Sequence, residues 1–168
     1  MFDFLTVLIF ILPAYIANAS PVLLGGGAPI DFGKNFFDGK RIFGDNKTIR
    51  GFFAGLFTGL LTGNLLAIFC PIVPSFQFML SAFFLSLGTM FGDLVGSFIK
   101  RRIGSKPGSY AIFDSFLFIL FALLFAYPFL PEWIYSIPSL LFIFLFSFLL
   151  HILSNFIANK LGWKNVPW

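Results

Sequence analysis

The sequence predicts an all-α integral membrane protein with five transmembrane helices, its N-terminus outside and its C-terminus cytoplasmic. Three observations carry that prediction. Of 168 residues, 58% are hydrophobic and only 11% are charged, with a mean hydropathy of +0.94, where a soluble domain carries about 25% charged residues. Five stretches reach the roughly 20 apolar residues that a crossing needs. The basic residues, finally, all fall on one side of an alternating path through the bilayer. The same composition excludes disorder, and the lone Cys70 excludes a disulfide scaffold.

The spans, taken in order, are about 2–20, 51–70, 76–96, 113–130 and 137–159, within a single membrane domain of residues 1–168. The first reads as a span rather than a signal peptide, because no Lys or Arg precedes Lys34. Pro71 and Pro74 separate the second and third spans; Pro128, Pro131 and Pro138 separate the fourth and fifth. Proline belongs at such boundaries, since it cannot donate to a helix. The unbroken apolar run from Leu140 to Leu150 does not alternate, which excludes a β-barrel.

Charge placement orients the chain. Lys34, Lys40, Arg41, Lys47 and Arg50 lie in the segment 21–50; Lys100, Arg101, Arg102 and Lys106 in 97–112; Lys160 and Lys164 in the tail. The opposite connections carry none. The positive-inside rule therefore places both long loops in the cytoplasm, and the site of any chemistry with them.

Gly51, Gly55, Gly59 and Gly63 recur every fourth residue, as do Gly88, Gly92 and Gly96. Such lines let helices approach closely in lipid, either within one protomer or across a homodimer interface. Spans four and five are Phe-rich and read as lipid-facing.

Polar residues are expensive in this setting, and their clustering points to function. With span three continued as a helix, Asp93, Ser97 and Lys100 fall in one stripe, followed by Arg101. A carboxylate, a hydroxyl and a dibasic pair suit Mg²⁺ and phosphate; the competing reading is a helix end with Asp93 neutralised by Lys100. Asp114 sits at the first turn of span four, either as a helix-dipole partner or as a second Mg²⁺ ligand. The loop 21–50 holds glycines, Asp31, Asp38, Asp45, Lys40, Arg41 and Lys47, a composition able to wrap a polyphosphate or to lie on anionic lipid. It is not a Walker A loop: Asn35 stands where Ser or Thr belongs after Lys34. His151, Asn155 and Asn159 form a polar stripe at the inner end of span five, and Asn18 near the end of span one faces the same level.

Several segments resemble the archaeal CDP-archaeol synthases: residues 13–18 (PAYIAN), 29–33 (PIDFG), 38–41 (DGKR), 44–48 (GDNKT), 97–102 (SFIKRR), 106–108 (KPG), and 151–155 leading to Val166-Pro167-Trp168. The Ser-x-x-Lys-Arg segment with a downstream Asp also resembles the wider phosphatidate cytidylyltransferases. The resemblance implies CMP transfer from CTP to an unsaturated isoprenoid ether-lipid phosphate, with Mg²⁺ as cofactor and no nucleic-acid partner. It implies a multi-pass protein of the cell membrane whose active site faces the cytoplasm. Carried over by residue, Asp93 and Asp114 are the metal ligands and act with Lys100 in catalysis. Substrate contacts fall to Asn18, Asp31, Asp38, Lys40, Arg41, Asp45, Lys47, Ser97, Arg101 and Asn155. One position departs from the pattern: the family places a second Asp three residues after the first in span four, and this chain has Leu117. That departure keeps a non-enzymatic lipid-binding scaffold with a degenerate metal site as the alternative. A CDP-alcohol phosphotransferase is excluded, because Asp38-Gly39 is followed by Lys40-Arg41 rather than that family's Ala-Arg spacing. A transporter would need ionisable groups on both sides, and the outer side has only Asp3 and Glu132.

Overall fold

A computed structural model describes residues 3–105, 113–160 and 162. Lys106 to Gly108, Lys164 and the closing Val166-Pro167-Trp168 lie outside the described residues. The elements are α1 (Phe4–Leu24), α2 (Ile49–Phe69), α3 (Ser75–Arg102), α4 (Asp114–Ala126) and α5 (Ile137–Lys160), with 3-10 turns at Tyr127–Phe129 and Glu132–Tyr135. Among the described residues there is no strand, only isolated bridges Pro29↔Thr48 and Asn35↔Arg41. Among the described residues, four helices are long and apolar enough to cross a membrane, and the apolar helix that opens at Asp114 is shorter.

The helix ends differ from the sequence expectation for identifiable reasons. Asp3 caps α1 through Leu5 N–H (3.0 Å) and the Thr6 hydroxyl (2.7 Å). The helix then runs past Ser20, through Pro21, to Leu24. Proline lacks only its own N–H, and its carbonyl still accepts from Gly25 N–H at 2.9 Å. Helix α2 begins at Ile49 because the Thr48 hydroxyl accepts from Gly51 N–H at 3.0 Å, an N-cap. Helix α3 does not stop at Gly96 but continues to Arg102, so the start of the expected 97–112 loop is helical. Nothing in 97–102 breaks a helix, and three cations in its last turn complement the helix dipole. Gly104, with φ +74°, follows the helix directly. Helix α4 gives way at Ala126, not 130, to a 3-10 turn centred on Pro128.

The two glycine lines pack within the protomer. Gly55 faces Met90 and Ala17, Gly59 faces Ser86 and Pro13, and Gly63 faces Ala82. A Cβ at Gly88 would collide with the Phe121 carbonyl, and one at Gly92 would meet the Leu117 carbonyl and Phe118. These contacts bring α3 against α2 on one side and α4 on the other, at backbone distance. Helix α4 is consequently not simply lipid-facing: Phe118, Ile119, Ala122 and Ala126 are buried. Phe10 stacks on Phe78 at 5.0 Å and meets Trp133 edge-on at 5.4 Å. Helix α5 is peripheral. It buries Ser139, Ile143 and Ser147 and exposes Leu141, Leu145 and Leu149, and Ser147 bonds the Tyr15 hydroxyl at 2.9 Å.

Candidate active site

The loop between α1 and α2 is organised around Asp31, whose side chain is fully buried. Its carboxylate accepts from Gly33 N–H (3.1 Å), Phe43 N–H (2.9 Å), Gly44 N–H (2.9 Å) and the Arg41 guanidinium (2.7 and 3.3 Å). Burial alone would raise this carboxyl's pKa, yet Arg41 and the three N–H groups hold it well below the usual carboxylate range. Arg41 reaches on to Asp45 at 2.7 Å. Beyond Asp31 the chain forms a short hairpin: Phe36 N–H donates to the Lys40 carbonyl and Ile42 N–H to the Lys34 carbonyl, at 2.8 and 3.2 Å. Gly39, with φ +75°, turns its tip.

Arg102 ties that hairpin to the end of α3. Its Nε lies 2.7 Å from Asp38 Oδ2, and its NH2 donates to the Lys40 and Arg41 carbonyls. In return, Lys40 Nζ donates to the Arg102 carbonyl at 2.6 Å. The guanidinium also lies against the rings of Phe36 (5.1 Å) and Phe98 (4.4 Å), a favourable cation–π arrangement.

Two lysine–carboxylate pairs occupy the C-terminal half of α3. Lys47 Nζ donates to both oxygens of Asp93 at 2.6 Å. Lys100 Nζ donates to Asp114 Oδ2 at 2.8 Å. This corrects the reading of Asp93 as neutralised by Lys100: the lysine seven residues along α3 belongs to α4's carboxylate, and Asp93 takes its partner from the loop. Gly96 makes the arrangement possible. A Cβ there would stand 3.1 Å from Asp114 Oδ1, so the missing side chain leaves the carboxylate its place against α3. Gly96 is about one helical turn from both Asp93 and Lys100, which puts both pairs on one strip. Beside the Lys47–Asp93 pair opens a small cleft of about 30 Å³, lined by Pro21, Asn46, Lys47, Thr48, Asp93 and Leu94 among others.

The other expected site residues divide between this strip and the loop's framework. Asn18 is half-buried on α1, one turn before Pro21 of the cleft, and Ser97 is buried on α3. Arg101 is half-buried beside Arg102. Asn155 is buried on α5, and His151 packs its ring 5.4 Å from Phe118. Asp31, Arg41, Asp45, Asp38 and Lys40 spend polar atoms within the loop or on Arg102, so they build the loop's framework. Sequence reasoning missed Arg102 as the tie, Thr48 as the α2 cap and Gly96 as the seat of Asp114. The four-residue glycine spacing was the available signal for the last.

Among the described residues no group of three or more His, Cys, Asp or Glu is arranged to hold a metal. Magnesium, however, asks for only one or two protein carboxylates, with phosphate and water supplying the rest. Asp93 and Asp114 fit that donor set. Leu117 points its Cδ1 toward Gly96, 3.6 Å from the Cβ position, so the α3–α4 groove carries one carboxylate from α4 and an apolar side chain beside it.

Long apolar helices gathering carboxylates and cations at one end define a multi-pass membrane protein with a polar cluster at that end of its bundle. The chain is similar to a solved structure described as an intramembrane enzyme for archaeal membrane lipid biosynthesis, with a TM-score of 0.82 and 34% identity over 91% of this chain and 94% of that one. The CarS-like family of CDP-archaeol synthases matches residues 1–168. A CDP-archaeol synthase of Pyrococcus furiosus is 47% identical over 163 residues, covering 95% of each chain. One of Methanococcus maripaludis is 50% identical over 169 residues, covering 95% of this chain and 93% of the relative. The chain belongs to the CDP-archaeol synthase family.

Proposed function

We propose that this protein transfers CMP from CTP to 2,3-bis-O-geranylgeranyl-sn-glycerol 1-phosphate, releasing pyrophosphate and CDP-archaeol, in a Mg²⁺-dependent reaction. Family membership over the whole chain supports the activity. The observation that carries the site assignment is the pairing of Lys47 with Asp93 and Lys100 with Asp114 on one strip beside a cleft. Each pair holds an anion-binding group and a metal-binding group ready to separate.

A lipid phosphate oxygen attacks the α-phosphorus in line, forming one P–O bond as the bond to pyrophosphate breaks. Such transfers depend on positioning and charge neutralisation. Lys47 and Lys100 turn from their carboxylates to phosphate oxygens as the substrates arrive. Asp93 and Asp114, so released, would hold Mg²⁺, which supplies charge neutralisation at the phosphates. No general base is required, because a phosphomonoester with a second pKa of about 6 is already ionised near neutral pH. The loop frame built on Asp31, Arg41 and Arg102 keeps Lys47 over the cleft.

In this reading the protein lies in the cell membrane with five spans, α4 and its 3-10 turn forming the shorter one. By the positive-inside rule the N-terminus is outside and the site is open to cytosolic CTP. The reading is tested with detergent-purified protein given CTP, Mg²⁺ and the geranylgeranyl lipid phosphate. Pyrophosphate release with a CDP-lipid of matching mass is expected. Folded protein that neither binds CTP nor releases pyrophosphate would replace this reading with a lipid-binding scaffold whose metal site is disabled at Leu117.

A further inference from the structure

We infer that the hairpin of residues 34–42 is a membrane foot: its tip at Phe37 and the adjoining end of α3 at Ile103 seat in the headgroup layer of anionic lipid. Phe37 is 99% exposed and Ile103 is 62% exposed. Phe36, the neighbour of Phe37, is fixed by its ring contacts with Phe98 and with the Arg102 guanidinium. The tip therefore has a defined level along α3.

That level lies at the membrane boundary. Helix α3 has 28 residues, about 42 Å at 1.5 Å per residue, against a hydrocarbon core of about 30 Å. Roughly its last eight residues, Phe98 and Arg102 among them, stand beyond the hydrocarbon, in the layer where aromatic side chains concentrate. The tip's flanking cations, Lys34 and Lys40, are exposed, which suits anionic headgroups at close range. Arg102 joins foot and site, since it grips the hairpin whose chain leads on to Lys47.

Spin labels read depth independently of catalysis, so this inference stands or falls apart from the proposed reaction. In a Cys70→Ser background, Phe37→Cys and Ile103→Cys are labelled with a nitroxide and reconstituted in phosphatidylcholine–phosphatidylglycerol vesicles. Leu145→Cys on α5 serves as the hydrocarbon reference and Asp45→Cys, from a side chain 79% exposed, as the aqueous one. Power saturation with oxygen and a nickel chelate is expected to place both labels between the references, deeper when phosphatidylglycerol is present. Labels as accessible to the chelate as the one at Asp45, or shielded from both reagents, would overturn the proposal.

Discussion

Two sets of ion pairs at the same end of this bundle are built on different principles. In the loop, Asp31 is fully buried and accepts from three backbone N–H groups as well as Arg41, all from residues within thirteen positions of it. On the helices, Asp93 and Asp114 remain 32% and 17% exposed, and the bonds described for each come from one lysine. A carboxylate held by its own backbone has no acceptor capacity left and cannot change partners without unfolding the loop. Asp93, bonded through both oxygens by the flexible Lys47 at the edge of a cleft, can. The first arrangement builds a platform and the second leaves a site that substrates can open.

The comparison breaks first at Asp93. Asp93→Asn is expected to lower kcat by about two to three orders of magnitude, the scale of losing a charge-stabilising group, with the helical signal and elution profile unchanged. Near-normal turnover would move Asp93 to the platform. Asp31→Asn should do the reverse, costing about 3 kcal/mol of stability as a buried charge loses its partner, read as a lower midpoint of thermal unfolding and faster proteolysis within the loop. Because the Asp31 carboxyl is depressed in the folded protein, its stabilisation is complete above the ordinary carboxylate pKa of about 4. It is lost only as pH falls through the depressed value. The stability gap between wild type and Asp31→Asn should therefore be constant from pH 7 to pH 5, as urea unfolding at each pH would report. A gap that shrinks over that range contradicts the network.

Smaller effects sharpen the boundary between the two regions. Arg102→Ala removes the tie between hairpin and α3, and is expected to raise KM for CTP about tenfold, equivalent to about 1.4 kcal/mol, with a lesser change in kcat. Arg102→Lys restores charge but not the planar stacking on Phe36 and Phe98, and should recover only part of the loss in the same steady-state assay. Leu117→Asp adds a second carboxylate one turn after Asp114. It should lower the Mg²⁺ concentration for half-maximal activity several-fold, since ligand charge tunes affinity for hard cations. An unchanged Mg²⁺ titration would show that Leu117 lies outside the metal's reach.

What was legible in the sequence follows from how local each cause is. Apolar runs located the four long helices, and the glycine spacing correctly announced close packing. The stripe of Asp93, Ser97 and Lys100 was also readable, because α3 continues through it. Helix ends were less so: Pro21 looked like a stop but sits inside α1, and Gly96 looked like an end but serves as a packing notch. The partners were hidden altogether. Lys47 and Asp93 are 46 residues apart, and five other cations lie nearer to Asp93 along the chain. The donors that surround Asp31 were likewise hidden, because they come from a turn that only the folded loop brings round.

If the lysine–carboxylate pairs on α3 open together for nucleotide and metal, calorimetric CTP binding to wild type and Asp93→Asn, each with and without Mg²⁺, will report it. Wild type should gain tenfold or more in affinity from Mg²⁺. Asp93→Asn should lose most of that gain while binding metal-free CTP at least as tightly as wild type, since Lys47 is no longer held. An equal Mg²⁺ gain in both proteins, with weaker metal-free binding in the variant, would contradict the account.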